Sequence, residues 1–129
     1  MLKGEFNFEL ALYPYSGDYQ TAEIHKEAIS YNFPMLYNTS EPNNGFLGPE
    51  MKIFDISSDP IILSALYVDN GKVIMRLHNS QHNEVNSYLG NIHNERRFIE
   101  TDLKGNKTDT ITGNISFKPW QFKTFEIVQ

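Results

Sequence analysis

The sequence predicts a mostly β protein, an antiparallel β-sandwich with one short amphipathic helix near the N-terminus. Two observations lead to this fold class. Short β-rich segments follow one another over the second half of the chain, with turn-forming residues between them at the spacing of a sandwich. Helical periodicity occurs near residues 19–31. The composition, 40% hydrophobic and 21% charged, is that of an ordinary globular protein.

The first predicted element is a strand from Gly4 to Tyr13. Phe6, Phe8 and Leu10 alternate with polar residues, which is the period of a strand with one buried face. Pro14 ends the pattern. Because the strand starts without any preceding element, we expect it to be the cut edge of a larger sheet.

The second predicted element is a helix from residue 19 to residue 31. Ser16 or Asp18 can cap it by accepting hydrogen bonds from its free N–H groups. Phe33 precedes Pro34 and is therefore pushed out of the helical region, which predicts the helix end. Turn-forming residues then fill positions 39–50, so we place the domain boundary there, between residues 1–50 and 51–129.

Short strands fill the second predicted domain. Asp69-Asn70-Gly71 predicts a tight hairpin, because Asn and Gly accept the positive φ that such a turn requires. Residues 104–107 predict a second hairpin turn. The predicted strands cover residues 61–68, 72–78, 85–89, 96–103, 109–117 and 121–128.

Charge and composition narrow the function classes. The net charge of −5 provides no basic patch for a nucleic-acid backbone. No apolar run approaches the roughly 20 residues that span a bilayer, and the start lacks the apolar stretch of a signal peptide. The chain has no cysteine, which excludes thiolate chemistry and agrees with a reducing compartment. We expect a soluble, cytoplasmic protein that binds neither nucleic acid nor membrane.

The residues that could carry catalysis do not form a pattern. His78 and His82 have a spacing that converges on a metal only in a helix, and here the segment predicts a turn. His25 falls on the apolar arc of the helix, where we expect a neutral imidazole bonded to a neighbouring domain. We therefore predict no catalytic residue, no metal ligand and no cofactor in this chain.

Carbohydrate binding is the site hypothesis that the sequence supports. Aromatic faces stack on the apolar side of a pyranose, while polar groups bond its hydroxyls. Trp120 can equally fill a core or plug a domain interface. The candidate residues are Tyr15, Asp18, Tyr19 and Trp120.

Two groups of motifs stand out by their order. The first is Phe8-Glu-Leu-Ala-Leu-Tyr-Pro-Tyr-Ser-Gly-Asp-Tyr19 with Tyr31-Asn-Phe-Pro-Met35. The second is Ile61-Ile-Leu-Ser-Ala-Leu66, Val73-Ile-Met-Arg-Leu-His-Asn79 and Phe117-Lys-Pro-Trp-Gln-Phe-Lys-Thr-Phe125. Together they resemble the C-terminal region of family 38 glycoside hydrolases, the α-mannosidases and mannosylglycerate hydrolases. Tyr15 departs from the family, which often has His there, and Asn79-Ser80 replaces a common Asn-Pro.

The resemblance implies a supporting role. The family's nucleophile, acid/base carboxylate and metal ligands belong to an N-terminal barrel and the parts just after it, so no catalytic residue carries over to this chain. The parent enzyme would be a retaining α-mannosidase that uses a divalent metal, usually zinc. Residues 1–50 would end a larger sandwich domain, and residues 51–129 would form the small terminal sandwich. The implied partners are the parent's remaining domains.

Two alternatives stay open. The aromatic residues suit a stand-alone carbohydrate-binding module. The unpaired edge from Gly4 to Tyr13 suits an oligomerisation module, because an open strand edge can pair with another chain.

Overall fold

The computed structural model describes residues 4–41, 44–45, 48, 50–91 and 97–128. The chain divides into two compact units, Met1–Ser40 and Glu41–Gln129. Parts of the predicted linker and Arg96, the first residue of a predicted strand, lie outside the described residues. The assignment of residues 1–50 to a larger sandwich domain stays a prediction. In the described part of the chain, no helix has the length and apolar character needed to cross a membrane.

The described residues of the first unit contain one helix, α1 (Ile24–Asn32). The predicted helix end is confirmed, because α1 stops two residues before Pro34. The predicted start at residue 19 is wrong. Residues 19–23 form turns, and Glu23 adopts a left-handed conformation with φ 49°, which interrupts the helical backbone before Ile24.

The predicted strand from Gly4 to Tyr13 does not form. Residues 5–13 have no regular secondary structure, and their alternating apolar side chains are open to solvent. Leu10 and Leu12 are 95% and 98% exposed. Alternating apolar and polar residues give a strand one face that a sheet can bury. A strand also needs a neighbouring strand with which to form its backbone hydrogen bonds.

The second unit is the predicted β-sandwich. Its strands are β1 (Phe54–Ile56), β2 (Ile61–Asp69), β3 (Lys72–Asn79), β4 (Val85–Asn91), β5 (Arg97–Thr101), β6 (Lys107–Ile111), β7 (Gly113–Phe117) and β8 (Phe122–Val128). One sheet has the order β1-β4-β7, and the other has the order β2-β3-β8-β5-β6. Every pairing is antiparallel.

The core lies between the two sheets. Alternate residues of β3 point inward, so that this strand contributes Met75 and Leu77, and β8 contributes Phe125. Phe117 of the smaller sheet meets them and is completely buried. The other buried apolar residues in the described part of the chain are Ile61, Leu89, Phe98, Ile115 and Ile127.

Both predicted hairpin turns are present. Asp69 pairs with Lys72, and between them Asn70 and Gly71 take φ 48° and 77°, which is the conformation expected of Asn-Gly. In the β5–β6 turn, the Asp102 carboxylate accepts hydrogen bonds from the backbone N–H groups of Lys104 and Asn106. The side-chain amide of Asn106, which also donates to this carboxylate, helps to hold the pKa of Asp102 below its ordinary value.

Two strand predictions need correction. The single strand predicted over residues 109–117 is two strands in different sheets, because Gly113 at φ 87° turns the chain from β6 into β7. Strand β1 is not among the predicted strands, because its three residues are too few to show an alternating pattern.

Candidate functional site

Asp18 holds the turn that precedes α1. Its Oδ1 accepts hydrogen bonds from the backbone N–H groups of Gln20 at 2.9 Å and Thr21 at 2.8 Å. The Thr21 hydroxyl donates to the same carboxylate at 3.1 Å. The prediction that Ser16 or Asp18 caps the helix is therefore wrong, because α1 begins after Glu23 without a side-chain cap, and Asp18 instead closes the turn ahead of it. A carboxylate engaged in this way has less capacity left for bonding sugar hydroxyls.

Tyr15 and Tyr19 flank this turn, and about half of each side chain is exposed. Tyr15 lines a groove of about 510 Å³ between residues 9–15 and α1. Tyr13 and Tyr31 line the same groove, whereas Tyr19 does not. The first unit thus brings Tyr15 together with two other tyrosines along one groove. Their aromatic rings could stack on the apolar face of a sugar ring.

Trp120 lies in the turn that connects β7 to β8 in the second unit. The backbone N–H of Gln121 donates to the carbonyl of Lys118 at 3.2 Å and closes the turn. Pro119 takes the second position and Trp120 the third, at φ 58°. Positive φ at the third position defines a turn that normally uses glycine or asparagine. The indole is 48% exposed, so the alternative that Trp120 fills the core is wrong.

Asn79 joins this turn to the loop that follows β3. The side chain is completely buried, and its amide donates to the carbonyls of Asn83 at 2.8 Å and Lys118 at 3.0 Å. Its Oδ1 accepts from the backbone N–H of Gln81 at 3.0 Å, and the Gln81 carbonyl accepts from the N–H of Trp120 at 3.1 Å. One buried amide therefore fixes two loops at one end of the sandwich.

Asn79 closes one of the sequence motifs, but its spacing along the chain does not indicate this role. A signal was available, because Met75, Leu77 and Asn79 share the inward period of β3. A polar side chain at a core position must find hydrogen-bond partners within the protein.

His78 lies on the opposite face of β3 and stacks on Phe122 of β8. The ring centroids are 4.1 Å apart and the planes differ by 11°. Burial lowers the pKa of His78 from its ordinary value, which favours the neutral ring. His82 lies in the following loop. Among the described residues, no three His, Asp or Glu side chains are grouped closely enough to hold a metal ion.

His25 offers no proton relay within the described part of the chain. Its Nε2 atom is shielded from solvent and has no hydrogen-bond partner there. A proton relay needs a donor or acceptor within hydrogen-bond distance of the titrating atom. The predicted bond to a neighbouring domain stays a prediction.

The larger sheet carries ion pairs that are not evident from the sequence. Glu126 of β8 is almost fully buried on the outward face of the sheet. Lys72 approaches its carboxylate to 3.2 Å and Lys107 approaches to 3.3 Å. Burial raises the pKa of Glu126, but the two lysines outweigh burial and leave the pKa below its ordinary value. A carboxyl held ionised in this way stabilises the sheet and is poorly suited to act as a general acid.

The comparisons with known proteins add no relative. Neither protein-family profiles, nor curated protein sequences, nor solved structures gave a match to this chain. The class that the structure defines is an antiparallel β-sandwich preceded along the chain by a unit that contains the helix α1.

Proposed function

We propose that this chain is the non-catalytic C-terminal β-domain of an α-mannosidase, a retaining glycoside hydrolase whose catalytic barrel lies outside these residues. It supports the parent enzyme by packing against the parent's remaining domains. The divalent metal, zinc by the family resemblance, belongs to that barrel and not to this chain.

The observation that carries the proposal is the position of the second motif group in the fold. Residues 61–66 lie in β2, residues 73–79 form most of β3, and residues 122–125 begin β8. These three strands are direct neighbours in the larger sheet. The first two segments form the β2–β3 hairpin, and the third, which is distant in sequence, pairs with β3, so that all three form one structural unit, as motifs of a common fold should. Asn79, which closes one of the motifs, bonds to the turn within another.

The first motif group supports the proposal in a different way. Phe8, Leu10 and Leu12 are at least 85% exposed. Burying a side chain of this size contributes about 1.5–3 kcal/mol, so this segment gains substantially from a partner. Strands of the parent's large sandwich domain are the partner that the resemblance implies, because they would satisfy both the apolar face and the backbone of residues 5–13.

The first experiment measures the size of the native polypeptide. An antibody raised against this chain is used to probe the source cells by denaturing electrophoresis. We expect a band several times heavier than 14.9 kDa, the mass of the chain itself. A band at 14.9 kDa would contradict the supporting-domain proposal.

Enzyme assays supply a second test. The purified chain is assayed with aryl α-mannosides, with and without added zinc, and its metal content is measured after dialysis. We expect neither turnover nor retained zinc. Turnover that co-purifies with the chain would overturn the proposal.

Self-association is the second candidate function. It is motivated by the exposed side chains of residues 6–12, which another copy of the chain could cover as readily as a parent domain could. Light scattering over a wide concentration range tests it. A strict monomer would count against self-association and leave the mannosidase proposal in place.

We also propose a cytoplasmic location, which rests on the absence of cysteine from the chain. Fractionation of the source cells, probed with the same antibody, tests this location. Recovery of the protein outside the cytoplasmic fraction would overturn it.

A further inference from the structure

Tryptophan is an unfavourable residue for the backbone conformation at position 120. The third position of the 118–121 turn has φ 58°, a conformation that is unfavourable for any residue with a Cβ atom and rare for one as bulky as tryptophan. Glycine would form the same turn without this cost, and asparagine would form it at a smaller cost. The turn geometry therefore does not explain the choice of tryptophan. What tryptophan adds is a large ring, about half of which faces solvent.

The backbone beneath this ring is firmly held. The N–H of Trp120 donates to the Gln81 carbonyl, and the buried amide of Asn79 bonds to Lys118 on one side and to Gln81 on the other. The Lys118 N–H also donates to the side-chain oxygen of Gln121 at 2.8 Å. A ring on such a framework loses little conformational freedom when a ligand stacks on it. Strain that is kept at an exposed and rigidly supported residue points to function.

The two loops that meet at Trp120 carry hydrogen-bonding side chains at the surface. His82 and Asn83 are exposed on one loop, and Lys118 is exposed on the other. A half-exposed indole beside such groups suits a ligand with one apolar face and several hydroxyls at its edge. A neutral hexopyranose has this chemistry. A protein partner would be expected to need a broader apolar patch around a central aromatic residue.

We infer that Trp120 is the stacking platform of a saccharide-binding subsite formed by residues 79–83 and 118–121, which takes a neutral pyranoside. The subsite uses residues of the second unit alone. It does not depend on the mannosidase proposal, because a ring face recognises the shape of a pyranose whether or not a catalytic domain is attached.

Trp120 is the only tryptophan in the chain, so selectively excited tryptophan emission reports on this position alone. The full chain is titrated with methyl α-mannoside, methyl α-glucoside, methyl β-galactoside and manno-oligosaccharides to high millimolar concentration. We expect a saturable change in the emission of Trp120 with at least one of these sugars. No saturable change with any of them would overturn the proposal.

Substitutions at Trp120 then distinguish the contribution of the aromatic ring from that of the turn. Calorimetry measures the sugar binding of each variant. Trp120→Gly removes the platform but supplies the residue that the left-handed conformation favours, so the turn should persist. We expect it to bind the sugar about tenfold or more weakly. Trp120→Phe keeps an aromatic face and should retain part of the affinity. Unchanged binding by a folded Trp120→Gly variant would also overturn the proposal.

The matched control is Tyr67→Ala. Tyr67 is similarly exposed, at 43%, and lies towards the other end of the larger sheet, where it pairs with Ile74. We expect its removal to leave sugar binding unchanged. An equal loss of affinity in this variant would show that the effect is not specific to Trp120. Failure of these tests leaves the mannosidase proposal standing, since that proposal is tested by polypeptide size and turnover.

Discussion

The ammonium group of Lys123 lies 2.9 Å from the carboxylate of Glu100, and both side chains are largely buried, at 15% and 21% exposed. They lie on neighbouring strands, β8 and β5. The same ammonium group lies 5.8 Å from the ring centre of Phe117, which belongs to the opposite sheet. Lys123 therefore joins β8 to β5 through the ion pair and links the two sheets through the cation–π contact.

Breaking this pair should destabilise the sandwich. We expect Lys123→Met to lower the free energy of unfolding by about 2 kcal/mol, because it leaves the Glu100 carboxylate in a poorly solvated position without its partner. Glu100→Gln should lower the free energy of unfolding by a similar amount, because it leaves the Lys123 ammonium group without its partner. Urea denaturation of the single and double variants measures the coupling, which we expect to be about 1 kcal/mol.

Lys104→Met is the control for this cycle. Lys104 is exposed in the β5–β6 turn, so the same substitution there should change stability by less than about 0.5 kcal/mol. Additive effects of the Lys123 and Glu100 substitutions would contradict the expected coupling.

Removing the Asn79 side chain should be more damaging. Asn79→Ala deletes three short hydrogen bonds at a completely buried site and leaves the Asn83 carbonyl and the Gln81 N–H without this partner, whereas the Lys118 carbonyl still accepts from the N–H of Gln121. We expect a loss of about 2–4 kcal/mol in the free energy of unfolding, measured by urea denaturation. The 118–121 turn should loosen, and the emission of Trp120 should shift towards that of a solvated indole.

Asn83→Ala is the matched control, since Asn83 takes part in this network through its backbone carbonyl. Removing its exposed side chain should change the free energy of unfolding by less than about 0.5 kcal/mol. Equal effects of the two alanine substitutions would show that Asn79 is not the residue that joins the loops.

The parts of the fold that could be predicted are those set by local chemistry. Asn70-Gly71 predicts its hairpin because two neighbouring residues determine the φ values of the turn. Pro34 predicts the end of α1 in the same way. The strand predicted from Gly4 to Tyr13 failed because a strand needs a partner, which no local pattern supplies.

The candidate site could be predicted only in part. Trp120 was identified as an aromatic residue suited to stacking, but its positive φ depends on the turn around it. The role of Asn79 depends on the carbonyl of Lys118, which lies 39 residues away along the chain. Contacts at such separations follow from the packed fold and not from spacing, which is why the network was missed.

The left-handed conformation of Trp120 predicts an unusual order of stability. Alanine is normally more stable than glycine within regular structure, by about 0.5–1 kcal/mol. At Trp120 we expect the reverse, with Trp120→Gly more stable than Trp120→Ala by about 1 kcal/mol, because only alanine has a Cβ atom that resists positive φ. Comparing the two variants cancels the loss of the indole. Thermal denaturation measures the difference, and a more stable alanine variant would show that the turn does not impose this conformation.

Glu126 should make the stability of the sandwich sensitive to acid. Its pKa is lowered in the folded protein, where hydrogen bonds and charge attraction from Lys72 and Lys107 outweigh the opposing effect of burial. The unfolded chain therefore binds more protons than the folded one between the lowered pKa and the ordinary value of about 4.3. The stabilisation from Glu126 is fully present above that ordinary value and is lost as the pH falls through the folded pKa.

We expect urea denaturation to show a constant gap in stability between the wild-type chain and Glu126→Gln from about pH 7 to about pH 5, which narrows on further acidification. A gap that stays constant or widens in acid would show that the lysines do not hold this carboxylate in its ionised form.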